Sequence, residues 1–151
     1  MKQEIITPFV ESFKDIFSQM GKINMKLENT YFKSEISSKD NILLVLGING
    51  TIKGQVIIDF SEIIAKKAVS NIIEVNPIVI FDEIAKKCIL ELGDVIIGNA
   101  ISKLYENGVN VEIVSPILII GKELNLSFEK DKIYCIVFKS GEEKVELNIL
   151  I

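Results

Sequence analysis

Two apolar runs separated by Asn49-Gly50 constrain the fold of this chain more than any other stretch. Residues 42–48 precede the pair and residues 51–60 follow it. Asn-Gly between two apolar segments is the strongest short signal for a tight hairpin, because both residues tolerate the backbone angles of a type I′ turn. We therefore predict two adjacent antiparallel strands in the middle of a sheet.

Two segments that flank this hairpin are predicted to be helices, because their apolar residues recur every three or four positions. Residues 5–20 form the first, with Thr7 as the N-cap and Pro8 at the first helical position. Residues 61–74 form the second, opened by Ser61. Its predicted buried side consists of Ile63, Ile64, Ala68, Ile72 and Ile73.

The longest helical pattern starts at Asp82, which suits an N-cap, and stops at Asn107-Gly108. Its predicted buried face consists of Ile84, Cys88, Leu92, Ile96 (or Val95), Ala100 and Leu104. Gly93 and Gly98 lie inside this helix, where each glycine costs about 1 kcal/mol relative to alanine. We expect that cost to be offset by close approach of a backbone, either from the chain's own sheet or from another protein.

The remaining apolar segments are predicted to be strands, and residues 37–41 are predicted to be a loop. Pro116 marks an edge, a bulge or a bend, because proline cannot donate a ladder hydrogen bond. The predicted strands are residues 31–36, 109–114, 117–121, 124–128, 133–139 and 144–151. The order of elements predicts one α+β domain, residues 1–151, with a mostly antiparallel sheet covered by helices.

Composition excludes several kinds of chemistry. The chain has no His, and all 17 of its basic residues are Lys. No imidazole can therefore act as a general base, and no guanidinium can clamp a phosphate. A net charge of −4 without a basic stripe argues against nucleic acid as a partner. Cys88 and Cys135 are isolated within apolar runs, so we expect buried reduced thiols and no metal site.

No apolar run approaches the length of about 18 residues that a membrane-spanning helix needs. The N-terminal residues also lack the apolar core of a signal peptide. We therefore expect a cytoplasmic protein without membrane insertion.

The polar stripe of the long helix carries the residues that look suited to chemistry. Lys87, Glu91, Asp94 and Gly98 recur at helical spacing and share one face, where Lys87 is placed to pair with either carboxylate. One interpretation is an ordinary solvated helix face. The other is a surface that a partner molecule approaches.

The segment from Glu91 to Ala100 resembles the signature helix of the CheX/CheC/FliY family of chemotaxis phosphatases. That signature is an Asp or Ser, a Glu one turn later, an Asn three residues further on, and a later Pro. Thr7-Pro8-Phe9 also resembles the Asn-Pro-Phe start of the family, and Pro116 stands near the late Pro. The resemblance covers nearly the whole chain and implies a CheX-like (CheC-like) domain. The single-domain length fits CheX better than CheC, because CheC carries two signature helices.

In this family the signature Glu is thought to pair with a Lys of a phosphorylated CheY-type response regulator, while the signature Asn positions the attacking water. The resemblance implies Glu91 and Asp94 as the catalytic residues, and Lys87, Glu91 and Gly98 as partner contacts. It also implies that this chain binds no cofactor, because the receiver domain brings the acyl phosphate and Mg²⁺.

The chain departs from the family pattern at three positions. Asp94 stands in place of Asn, Lys87 stands in place of Asp or Ser, and Pro116 comes one residue early when counted from Asp94. A carboxylate cannot donate a hydrogen bond, and one unit charge facing another at 4 Å costs about 4 kcal/mol at an effective dielectric of 20. Asn99 is offset by about 140° around the helix from Asp94, so we do not expect it to substitute.

Three hypotheses follow from the sequence. The first is an aspartyl-phosphate phosphatase, and the second is a catalytically weak or inactive module that docks a receiver domain. The third is a structural or dimerisation domain that pairs through an exposed sheet edge near the C-terminal strands. The resemblance also implies a homodimer.

Overall fold

The computed structural model describes residues 3–78, 80–129 and 132–151. Within them three α-helices and six β-strands follow one another along the chain. In chain order these are α1 (Gln3–Gln19), β1 (Lys26–Lys33), β2 (Glu35–Gly50), β3 (Gly54–Ser61), α2 (Glu62–Ile73), α3 (Glu83–Glu106), β4 (Val111–Ser127), β5 (Ile133–Ser140) and β6 (Glu143–Leu150).

The six strands form one sheet in the order β1-β5-β6-β3-β2-β4, and every neighbouring pair is antiparallel. The predicted α+β class and the predicted β2–β3 hairpin are therefore confirmed. The predicted two-residue turn is wrong, because the last β2–β3 pair joins Ile48 to Gly54. Asn49 and Gly50 instead continue β2 and pair with the first residues of β4.

The polar segment 37–41 is part of β2, so the predicted loop is wrong. Its backbone pairs with β4, from Ser37 opposite Asn125 to Asn41 opposite Gly121. The partner strand supplies ladder hydrogen bonds that outweigh the turn preference of Ser, Asp and Asn. The three strands predicted between 109 and 128 are likewise one strand of 17 residues, β4.

Pro116 lies within β4, at one edge of the described sheet, as predicted. Val45 pairs with Ile117 and Gly47 pairs with Val114, so the register shifts where Ser115 and Pro116 oppose a single residue of β2. This bulge removes the ladder position that proline cannot fill.

Helix α1 begins at Gln3, so Pro8 lies inside it and the predicted start at Thr7-Pro8 is wrong. Phe9, Phe13 and Phe17 are fully buried along one face of this helix. The Phe13 ring stacks on Phe138 of β5 with centroids 4.4 Å apart. We infer that this packing outweighs the hydrogen bond that Pro8 removes, which costs about 3 kcal/mol in a helix interior.

Helices α2 and α3 begin where the sequence predicts. The Ser61 hydroxyl accepts a hydrogen bond from the Ile64 amide at 3.2 Å, and the Asp82 carboxylate accepts one from the Ala85 amide at 3.0 Å. The predicted buried faces are wrong at Ile63 and Ile84, which are 64% and 63% exposed. In each helix the next residue, Ile64 or Ala85, faces the core instead.

The apolar residues form two clusters. The larger one contains all the helical core residues together with one set of alternating strand residues, so the helices pack on one face of the sheet. The smaller one contains strand residues only: Ile36, Leu43, Ile57, Ile133 and Leu150. Apolar residues from the last part of β4, including Leu124 and Leu126, pack against this smaller cluster.

Candidate functional site on helix α3

Gly93 brings α3 against the sheet. It is buried, and a Cβ atom at this position would overlap the side chain of Leu44 in β2. Gly93 therefore allows a close approach to the chain's own sheet, but it is the Leu44 side chain rather than a backbone that lies against it. Because Gly93 faces β2, the opposite stripe of α3 faces away from the protein.

That outward stripe contains the residues singled out from the sequence. Lys87, Glu91 and Asp94 are exposed, and Gly98 is half-buried. A Cβ atom at Gly98 would meet no other atom within 4 Å, so this glycine leaves a flat, open surface. Along the helix axis, Glu91 lies about 6 Å from Lys87 and about 4.5 Å from Asp94.

The charged groups of this stripe are not engaged elsewhere. Among the described residues, the side chains of Lys87, Glu91 and Asp94 form no ion pair or hydrogen bond. The expected pairing of Lys87 with one of the two carboxylates is therefore wrong. The neighbouring Lys86 pairs instead with Glu83, at 2.9 Å.

Cys88 lies beneath the stripe. Its thiol is buried, and burial followed by the nearby charge of Glu91 raises its pKa. A buried thiol with a raised pKa is a poor nucleophile, so Cys88 adds packing rather than reactivity. The other thiol, Cys135, is buried as well, which confirms both predicted positions in the core.

Asn99 does not join the stripe. Its amide Nδ2 donates a hydrogen bond to the hydroxyl of Ser12 at 3.2 Å, and Ser12 is fully buried in α1. Asn99 therefore belongs to the contact between α1 and α3, in agreement with its predicted offset around the helix.

Neither a metal cluster nor a membrane span is found within the described ranges. In those parts of the chain no three His, Cys, Asp or Glu side chains are grouped so that they could hold a metal ion. No described helix is long and apolar enough to cross a membrane. The stripe thus offers two carboxylates, one ammonium group and a flat glycine surface to a molecule outside the chain.

Comparison with known proteins shows the family to which this chain belongs. The family model of the chemotaxis phosphatase CheX matches residues 42–139, which include β3, α2, α3 and β4 together with parts of β2 and β5. The chain belongs to the CheX family. A relative from Thermotoga maritima, CheY-P phosphatase CheX, is 30% identical over 129 residues, which is 83% of this chain and 81% of the relative.

Solved structures share the fold. The chemotaxis protein CheX from Desulfovibrio desulfuricans aligns with a TM-score of 0.87 at 24% identity, over 97% of this chain and 98% of that chain. A CheX chain from Borrelia burgdorferi, solved as a CheX–CheY–BeF3–Mg²⁺ complex, aligns with a TM-score of 0.80 at 22% identity, over 95% of both chains. The predicted family and CheX-like fold are confirmed.

Two apolar residues beside the stripe were not expected there. Ile84 was assigned to the buried face, and Val95 was an alternative to Ile96 on that face; both are exposed. Their angular position around the helix could have revealed them, because both lie within about 40° of Glu91. The stripe therefore combines charged groups with exposed branched apolar side chains.

Proposed function

We propose that this CheX-family chain hydrolyses the aspartyl phosphate of a CheY-type response regulator. The observation that carries the proposal is the outward stripe of α3, where Glu91 and Asp94 are exposed and form no ion pair or hydrogen bond among the described residues. Surface carboxylates alone are common. Within a chain whose 30%-identical relative is a CheY-P phosphatase, their position on this helix favours catalysis over docking alone.

Each residue of the stripe has a role that its chemistry permits. Glu91 pairs with a lysine of the receiver domain and so fixes the orientation of docking. Asp94 accepts a hydrogen bond from a water molecule and holds it in line with the bond that breaks. Gly98 lets the receiver's surface approach the helix backbone. Lys87 provides a positive charge one turn from Glu91.

The receiver domain brings the acyl phosphate and Mg²⁺, which neutralises the charge on the phosphoryl oxygens. Water attacks phosphorus, the bond between phosphorus and the aspartyl oxygen breaks, and inorganic phosphate leaves. This chain positions the water and the receiver. The Asp94 carboxylate lies near the phosphoryl charge and opposes it, so we expect hydrolysis by the native chain to be slow.

The test is loss of phosphate from a phosphorylated receiver domain of the same organism, with Mg²⁺ present. We expect the native chain to accelerate the loss and Glu91→Ala to abolish most of that acceleration. Glu106→Ala is the matched control, because Glu106 is exposed on the same helix, about 22 Å along the axis from Glu91. The proposal fails if the native chain has no effect, or if both variants behave alike.

The proposal extends to assembly and location. We place the protein in the cytoplasm as a homodimer that pairs through β4. This strand lies at one edge of the described sheet and exposes Val114, Ile117 and Ile120. An exposed apolar edge strand is a template for pairing with another strand. Light scattering should find a dimer for the native chain and a monomer for Ile117→Lys; a native monomer would contradict this part.

A further inference from the structure

Ile84 and Val95 expose apolar surface on either side of Glu91 along α3. Ile84 is 63% exposed and Val95 is 40% exposed, although both lie on a helix whose other face is fully packed. Large exposed apolar residues are common singly. These two share a helix face with the exposed carboxylates Glu91 and Asp94, so a molecule that docks on the carboxylates meets apolar surface beside them.

The geometry of the reaction places these two residues inside any productive interface. An interface of ordinary size buries about 800 Å² on each partner, which is a disc of about 16 Å radius. Val95 lies about 6 Å from Glu91 along the helix axis, and Ile84 lies about 10 Å from it in the other direction. A receiver domain whose phosphate reaches Asp94 therefore covers both side chains.

We propose that Ile84 and Val95 form the apolar contacts that hold a phosphorylated receiver domain on α3, and that they select receivers with matching apolar residues beside the phosphorylation site. The inference rests on the proposed function. Contacts across exposed charges contribute little net affinity, because both groups lose water on binding. Burial of branched apolar side chains within an interface contributes more.

The test uses the full chain and measures two quantities. One is the Kd for the receiver domain activated with BeF3 and Mg²⁺, and the other is the KM and kcat for the phosphorylated receiver. We expect Ile84→Gln and Val95→Thr each to raise Kd and KM by about 5- to 10-fold and to leave kcat within about twofold. Val95→Thr keeps the shape of the side chain and replaces a methyl group with a hydroxyl group.

Ile63→Gln is the matched control, because Ile63 is equally exposed but lies on α2 rather than on the stripe. Thermal unfolding of all three variants checks that the fold is intact. The inference is overturned if Kd stays unchanged in both stripe variants or if Ile63→Gln raises Kd equally. It is overturned as well if kcat falls while KM stays unchanged. It is also overturned if Ile84→Gln changes the oligomeric state but not the receiver Kd, because the surface would then contact a second copy.

The two measurements separate this inference from the proposed function. Receiver binding without turnover by the native chain would contradict the proposed phosphatase activity, while the Kd values would still decide the role of Ile84 and Val95. Absence of receiver binding would overturn both. Turnover with unchanged Kd in the variants would overturn the inference alone.

Discussion

Gly93 in α3 faces Leu44 in β2 so closely that the space for a Cβ atom is already filled by the leucine side chain. Leu44 is fully buried, so it has little freedom to move aside. The absence of a side chain at Gly93 therefore lets the helix lie close to the sheet at this point.

Gly93→Ala should therefore destabilise the protein, although alanine favours helices. The helix propensity gain is about 1 kcal/mol, and overpacking a tight core costs about 1–3 kcal/mol. We expect a net loss of up to about 2 kcal/mol in the free energy of unfolding, measured by urea denaturation. An unchanged or raised midpoint would show that Leu44 adapts to the methyl group.

Gly98→Ala should stabilise the protein and weaken its binding to the receiver domain. Nothing lies within 4 Å of the new Cβ, so the free energy of unfolding should rise by up to about 1 kcal/mol. The same methyl group would stand in the proposed interface, and we expect a raised Kd for the activated receiver. A stabilised variant with unchanged Kd would remove Gly98 from the interface.

Asp94→Asn should increase the rate of receiver dephosphorylation. The substitution removes a negative charge that opposes the phosphoryl group, and the amide can still orient water. Since repulsion between two unit charges at 4 Å is about 4 kcal/mol at an effective dielectric of 20, a partial relief corresponds to about 10-fold or more in kcat. A slower variant would mean that the carboxylate itself activates the water.

Asn99→Ala should lower stability and leave catalysis intact. The variant removes the hydrogen bond to Ser12 and leaves that buried hydroxyl without it, which costs about 1–3 kcal/mol. Urea denaturation should show the loss, while kcat at a temperature where the variant is folded should match the native value. A specific fall in kcat would place Asn99 in the chemistry.

Loss of the Cys135 thiol proton should lower the free energy of unfolding at alkaline pH. Its burial raises the thiol pKa from 9.0 to about 11. The unfolded chain loses this proton before the folded chain does, so stability is fully present below about pH 9 and declines as the pH rises towards 11. The decline is on the order of 2 kcal/mol. Cys135→Ala should flatten that part of the pH dependence of unfolding, with Cys88→Ala as the comparison.

Local sequence signals predicted the helices well where capping chemistry set their limits. Ser61 and Asp82 accept the hydrogen bonds that a cap should accept, and α3 ends at the expected Asn107. The signals failed where pairing between distant segments decided the outcome. Residues 37–41 carry turn-forming side chains, yet they continue β2 because β4 lies alongside them.

The candidate site was predictable as a set of residues but not as a surface. The spacing of Glu91, Asp94 and Gly98 placed them on one helical face, and the resemblance to the CheX family supplied their roles. Periodicity could not decide whether Ile84 or Ala85 faced the core, because a rotation of one residue gives an equally regular apolar pattern. Contact with the sheet decided it.

The sequence by itself determined the limits of α2 and α3, the antiparallel hairpin, the two buried thiols and the residues on the polar stripe of α3, because these depend on local spacing and capping. Tertiary structure decided the length of β2 and β4, the inclusion of Pro8 in α1, and the direction in which Ile84 points. Those features depend on which distant surfaces pack together. The overlap that a Cβ at Gly93 would make with Leu44 shows how closely α3 and β2 pack.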